Sequence, residues 1–440
     1  MTTAEHVAVV QLSPVPMGKK IAYAANQLGI NLLWQAFNTV AVYFYVTQLK
    51  VPGVAISVGM TVYGFVNAFL NLIAGHISDR TQTSWGRRIP YVVIGSLPFA
   101  ASFFFLFAPP RLGHQGLLIY FLVLTFLFDL FFTFTVLNTL ALFPEMYPNE
   151  RERGFVSALQ QVFGIVGMIL GVALAKGLGQ SLGWQTMALV FAVLGGLSMY
   201  VSLYGSFENA ALREQPFRLG EALAATFRNR RFVVFVTASF LIQFTTTLMT
   251  TLSTFYTTYV VALTPTQSMF FLGGTFIVAI PLSFVWARLA DKMGSGKAVM
   301  VALVLYALTL MALLWDHSPM TTLVTGAVLG ISVSAFMVLL PVLLADVIDY
   351  DAFLTGRRRE GMYLGMNGFI VRLGLSLQYA VMAVFFSISG FNANAPVQTI
   401  KAVVYLRILI GGVPILFVMI AFLLLWRYVQ YGARRNDVGF

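Results

Sequence analysis

Two ionisable residues sit where the chain is otherwise almost uniformly apolar. Of the 16 acidic residues, Asp129 alone falls in the middle of a long apolar run, in Leu127-Phe-Asp129-Leu-Phe-Phe-Thr133. Of the 27 basic residues, Arg372 alone lies well inside one, in Phe369-Ile-Val-Arg372-Leu. A charge in hydrocarbon is costly, so residues of this kind mark ion paths, proton relays or substrate sites. Asp129 is therefore a candidate coupling group that binds and releases a proton. A structural ion pair with Arg372 would use the same two residues, and both readings stay open on sequence alone.

A second set of residues could recognise a ligand. Gln27, Asn31, Trp34, Gln35 and Asn38 recur at offsets of 4, 7, 8 and 11, which places all five on one face of a helix. Amides facing lipid would carry unsatisfied donors, so this face belongs against a cavity or another helix. Amides beside an aromatic plate suit a hydroxylated, uncharged solute such as a sugar, although polar residues also join transmembrane helices to each other. Asn67 and Asn71 repeat the amide spacing at i, i+4, and Gln160 and Gln161 offer a further pair. Thr245, Thr246, Thr247, Thr250 and Thr254 say less, because threonine satisfies itself against its own helix.

Other chemistries find no residues to carry them. The chain has no cysteine, which removes disulfides, thiolate metal sites and cysteine nucleophiles. His6, His76, His114 and His317 lie in loops or at helix ends, not clustered within apolar runs. No Gly-Lys-Ser/Thr phosphate loop is present, which argues against ATP drive. No enzyme activity, metal or cofactor is expected.

The elements that must position these residues are long apolar helices. The composition is 59% hydrophobic and 10% charged, against about 25% charged in soluble domains. Twelve apolar spans can be drawn, at about 21–48, 53–78, 90–109, 116–143, 154–182, 185–206, 231–262, 266–290, 298–315, 320–348, 361–390 and 402–427. The first twenty residues lack the apolar core of a cleaved signal, so the first span is expected to direct insertion. Most of the 27 Lys and Arg fall on the side carrying both termini, leaving Lys50, Arg111, Lys176, Lys401 and Arg407 opposite. By the positive-inside rule both termini are cytoplasmic in a multi-pass cytoplasmic-membrane protein. The same rule accounts for the net charge of +11 without a nucleic-acid partner.

The chain also repeats. Gly75-His-Ile-Ser-Asp79-Arg80 runs on through Trp85-Gly86-Arg87-Arg88 to Pro90-Tyr91, and Ala287-Arg-Leu-Ala-Asp291-Lys292-Met-Gly294 echoes it nearly half a chain later. Pro144-Glu145 with Glu150-Arg151-Glu152-Arg153-Gly154 is matched by Ala345-Asp346, Asp349-Tyr-Asp351 and Arg357-Arg-Arg359-Glu360-Gly361. The expected organisation is a six-helix bundle over 1–206, a cytoplasmic linker over 207–230 and a second six-helix bundle over 231–440.

These motifs resemble the major facilitator superfamily. The longer loop, with Glu150-Arg151-Glu152-Arg153 and Asp346-Val-Ile-Asp349-Tyr, resembles its glycoside–pentoside–hexuronide:cation symporter branch, which includes the melibiose carrier. The resemblance implies an all-α polytopic membrane protein with twelve transmembrane helices in two pseudo-symmetric six-helix bundles. It further implies gating ion pairs at Asp79, Arg80, Arg87, Arg88 and Asp291. The branch's sugar-gripping helix-one acid falls on Asn31, its helix-five arginine on Gln161, and its helix-eleven basic residue on Arg372. Its cation-site acids fall on Asn67, Asn71 and Val136, which cannot form a carboxylate cage for sodium.

The expectation is a monomeric alternating-access carrier of a small hydroxylated solute. Asn31, Trp34, Gln35, Asn38, Gln161 and Arg372 would bind the solute, and Asp129 would supply proton coupling if there is any. The alternative is a lysolipid or other amphipathic solute.

Overall fold

The computed structural model describes residues 15–81, 83, 85–147, 150–208, 229–355, 360–395 and 397–436, with the side chains of Asn71, Asp79, Arg80, Pro144, Glu145, Glu150, Arg151 and several neighbours left aside. Among the described residues there is no strand, and twelve helical segments follow one another. They are α1 (17–48), α2 (Gly53–Arg80), α3 (Ile89–Phe107), α4 (His114–Met146), α5 (150–181) and α6 (Trp184–Gly205). The second set is α7 (Arg230–Tyr259), α8 (Pro265–Met293), α9 (Ser295–Trp315), α10 (Pro319–Thr355), α11 (Glu360–Ile388) and α12 (400–436).

Ten of the described helices are long and apolar enough to cross a membrane. The amides of α1 lower its hydropathy, and the described side chains of α2 contribute an apolar stretch, Gly53–Asn67. Short π-helical turns at Phe44–Gln48, Leu170–Leu174 and Ile408–Gly412 interrupt α1, α5 and α12. Ends are set by ordinary capping. Thr264 and Gln267 form a reciprocal capping box ahead of α8, and Asn229 accepts from the N–H groups of Arg231 and Phe232 at the start of α7.

Helix pairing repeats with a shift of six. In the first half α1 packs on α5 and α6, α2 on α4, and α3 on α4 and α6. In the second, α7 packs on α11 and α12, α8 on α10, and α9 on α10 and α12. Equivalent atoms follow the same rule. Tyr45 of α1 donates to the Leu106 carbonyl on α3 at 2.9 Å, and Tyr256 of α7 donates to the Leu313 carbonyl on α9 at 2.8 Å. Burying a tyrosine obliges its hydroxyl to find a partner, and both halves use the same one.

The halves meet along three seams, α1 with α7, α2 with α11 and α5 with α8. The face carrying both termini and the 206–229 connection is called the terminal face here, and the opposite one the distal face. Contacts across the α1–α7 and α5–α8 seams lie toward the distal side, while the α2–α11 seam stays closed past mid-helix, with Gly64 on Ser376 and Phe69 on Phe369. Gly177 of α5 packs on Met269 of α8, and Gly53 of α2 on Phe386 of α11. Thr251 and Thr254 of α7 donate to the carbonyls of Asn38 and Thr39 at 3.1 and 3.3 Å. The predicted linker lies largely within 209–228, outside the described residues.

Candidate functional site

Toward the terminal face lie three adjoining cavities, two of them lined by both halves and the third by the second half alone. The central one, of about 400 Å³, is lined by Asn31, Trp34, Gln35 and Asn38 of α1, Gln243 and Thr247 of α7, and Arg372 of α11, among others. A smaller polar one of about 230 Å³ shares Asn31 and adds Gln27, Ser157, Gln160 and Gln161. The third, of about 570 Å³, shares Gln243 and Thr246 with the centre and is mostly apolar.

The predicted amide face of α1 therefore borders open space, while Leu32 and Leu33 between its members are fully buried. Close approach of α5 makes this possible. A side chain on Gly167 or Gly171 would collide with the α1 backbone carbonyls of Leu28 and Leu32, so these glycines let the two polar faces adjoin. Within the stripe, Asn31 donates to the Gln27 carbonyl at 2.9 Å and Asn38 to the Trp34 carbonyl at 2.9 Å. Their donors are partly held by their own helix, which orients the amide oxygens. Trp34 stacks on Phe132 of α4 with ring centroids 4.2 Å apart, a contact worth about 0.5–1.5 kcal/mol beyond its burial. The indole is thereby fixed at the cavity wall.

Arg372 connects this cavity to the buried acid. It donates to Asn67 Oδ1 of α2 at 2.5 Å, and Asn67 in turn donates to the Tyr63 hydroxyl at 3.1 Å. Asp129 of α4 is 1% exposed, and the Arg372 charge, the Tyr63 hydroxyl and the Asn67 amide are the groups that act on it. Tyr63 and Asn67 stand beside the carboxylate without closing a hydrogen bond of good geometry. Thr133, one turn along α4, is buried and makes no bond to it. The sequence-predicted acid and basic residue thus lie within electrostatic reach of each other without a direct ion pair, with an amide where the resemblance implies a cation-site acid.

The predicted gating residues lie at helix ends and loops of the terminal face. Asp79 and Arg80 close α2, and their side chains lie outside the described residues. Asp291 is exposed near the end of α8. Arg88 donates through its guanidinium to the Ala141 carbonyl. The backbone N–H groups of Arg87, Arg88 and Ile89 donate to the Glu208 carboxylate at 2.9, 2.6 and 3.0 Å. Glu208 thus caps the positive end of α3, where an anion is favoured. Lys20 of α1 pairs with Glu152 of α5 at 2.7 Å on the same face.

Three features escaped sequence reasoning. Tyr63 carried a signal in its spacing, one turn from Asn67. Glu208 read only as part of a polar connection. Lys176, counted only among the bases of the distal side, is buried within α5 at 2% exposure.

The sequence model for MFS/sugar transport proteins matches residues 22–429. The chain belongs to that family. It is 22% identical to the isoprimeverose transporter of Lactiplantibacillus pentosus, over 88% of this chain and 83% of that one. It is 22% identical to the putative glycoside/cation symporter YagG of Escherichia coli (strain K12), over 96% and 94%. A bacterial homologue of the human lysosomal transporter Spinster, solved inward-facing and unoccupied, superposes with a TM-score of 0.69 at 14% identity, covering 95% of this chain and 99% of that one. The MFS/sugar transport fold of two related six-helix halves is thereby shown, in the glycoside–pentoside–hexuronide symporter branch. The protein is a multi-pass membrane transporter and not an enzyme.

Proposed function

We propose that this MFS/sugar transport protein is a secondary carrier of a small hydroxylated solute, a sugar or glycoside, working by alternating access. The observation that carries the reading is the central cavity between the halves, where amides of α1, the Trp34 ring and the Arg372 guanidinium converge. Asn31, Gln35, Asn38 and Gln161 would exchange hydrogen bonds with hydroxyls, and Trp34 would take the apolar face of a sugar ring. The terminal face is the cytoplasmic one on the positive-inside rule, so the cavity described is inward-open in the cytoplasmic membrane. The halves divide at 207–230, and Asp79, Arg80, Arg87, Arg88 and Asp291 belong to the breakable contacts of that face.

Coupling in this reading is by protons. Arg372 is held to Asn67 across the α2–α11 seam, within the field of ionised Asp129. A proton on Asp129 removes the counter-charge and frees the guanidinium for solute in the cavity. Sodium is not coordinated in the melibiose-carrier manner, because Asn67 and Val136 are neutral. Uptake into proteoliposomes, screened over sugars and glycosides with imposed proton or sodium gradients, tests the assignment. Accumulation driven by sodium and indifferent to protons would overturn the coupling.

A second reading, an amphipathic solute, draws on the largest of the three cavities. Phe235, Ile242, Phe336, Leu340 and Leu344 make its wall apolar beside the polar centre. The same uptake screen extended to lysolipids separates the two.

A further inference from the structure

Lys176 belongs to no part of the site above, yet its surroundings are unusual. It lies in Val172-Ala-Leu-Ala-Lys176-Gly, within the distal part of α5, and is the only fully buried basic side chain among the described residues. Its ammonium crosses the seam between the halves. It donates to Thr257 Oγ1 at 2.8 Å, to Ser268 Oγ at 3.2 Å and to the Thr254 carbonyl at 3.3 Å, all in the second half. The Tyr43 ring of α1 lies 5.6 Å from Nζ. Among the described residues no carboxylate pairs with it.

Every partner of this cation is neutral. An ammonium taken out of water recovers only part of its hydration from hydroxyls, a carbonyl and an aromatic face. If the α5–α8 seam opens to the distal side, Lys176 meets water again and the deficit disappears. Closure of the distal end must therefore be driven by the apolar and glycine contacts around it, such as Gly177 on Met269 and Ala173 on Gly273, against the pull of the lysine. We propose that Lys176 is a positioning residue of the transport cycle, a spring in the distal gate whose buried charge disfavours the closed seam and speeds its reopening. A latch, by contrast, would hold the seam shut. The inference rests on alternating access alone and is independent of which solute is carried.

The absence of native cysteine allows a direct test without any solute. Ala173, 5% exposed and facing α8, is changed to cysteine, and its modification by a membrane-impermeant maleimide applied from the distal side reports how often the seam opens. In this background Lys176→Met, of similar length and uncharged, slows modification by about tenfold or more. Lys176→Gln, which retains a donor but no charge, moves the same way, and Lys176→Arg accelerates it. Should the arginine variant fail to fold, the methionine and glutamine variants decide between them. Faster or unchanged modification in Lys176→Met and Lys176→Gln identifies a latch or a passive residue and overturns the proposal.

Discussion

Arg372 on α11 donates to Asn67 on α2 across the seam between the two halves, at 2.5 Å. This single bond joins three roles. Arg372 lines the central cavity, its charge acts on the buried Asp129, and Asn67 occupies a position where the resembling branch carries a cation-site acid. In the proposed coupling, a proton arriving at Asp129 would act on a residue that also lines the cavity.

Asp129→Asn keeps the shape of the side chain and removes its titration. The expected outcome is loss of gradient-driven accumulation with exchange of solute down its own gradient retained. Counterflow and accumulation assays on the same proteoliposomes check this, and full accumulation by the variant eliminates the coupling role.

Arg372 makes no direct ion pair with Asp129, but its charge acts on the buried carboxylate, and removing it leaves that carboxylate less compensated. Arg372→Gln is accordingly expected to lower the thermal midpoint in detergent, and adding Asp129→Asn should restore much of it. Additive losses in the double variant would show that the two residues do not interact.

The amide face makes a labelling prediction. Cysteine at Asn31 or Gln35 should react with water-soluble thiol reagents and be protected by transported solute, while cysteine at the fully buried Leu32 or Leu33 should stay inert. The reverse pattern would mean that α1 is rotated.

Glu208 makes a stability prediction away from the transport path. Its carboxylate receives three backbone N–H groups at the start of α3, so Glu208→Ala is expected to cost about 1–2 kcal/mol. Glu208→Gln should lose less. An unchanged thermal midpoint in Glu208→Ala would show that the cap contributes nothing.

Much of the architecture was legible because a bilayer imposes helix length and forbids unpaired backbone. The α1 amide face was legible too, since Asn31, Gln35 and Asn38 share a periodicity that lipid would not tolerate. Asp129 and Arg372 announced themselves by charge, but their junction did not. Tyr63 and Asn67 complete it from α2, and nothing in residue spacing reports which helices of the two halves touch. The burial of Lys176 was hidden for a related reason. A lone lysine near a span end reads as a side determinant, and its partners Thr254, Thr257 and Ser268 lie some eighty residues or more away on the other half. Glu208 acts through distance as well, reaching back to Arg87 and Arg88 from the connection after α6.

The central claim is that the cavity between the halves recognises hydroxyl groups through the α1 amides. Proteoliposome uptake of a panel of sugars, glycosides and lysolipids, compared between the wild type and Gln35→Leu, tests it most directly. The account predicts that at least one sugar or glycoside accumulates under a proton gradient and that Gln35→Leu reduces its uptake about tenfold or more, as loss of a buried hydrogen bond to solute would. Lysolipid transport with no sugar or glycoside uptake, or sugar uptake unchanged in Gln35→Leu, would contradict it.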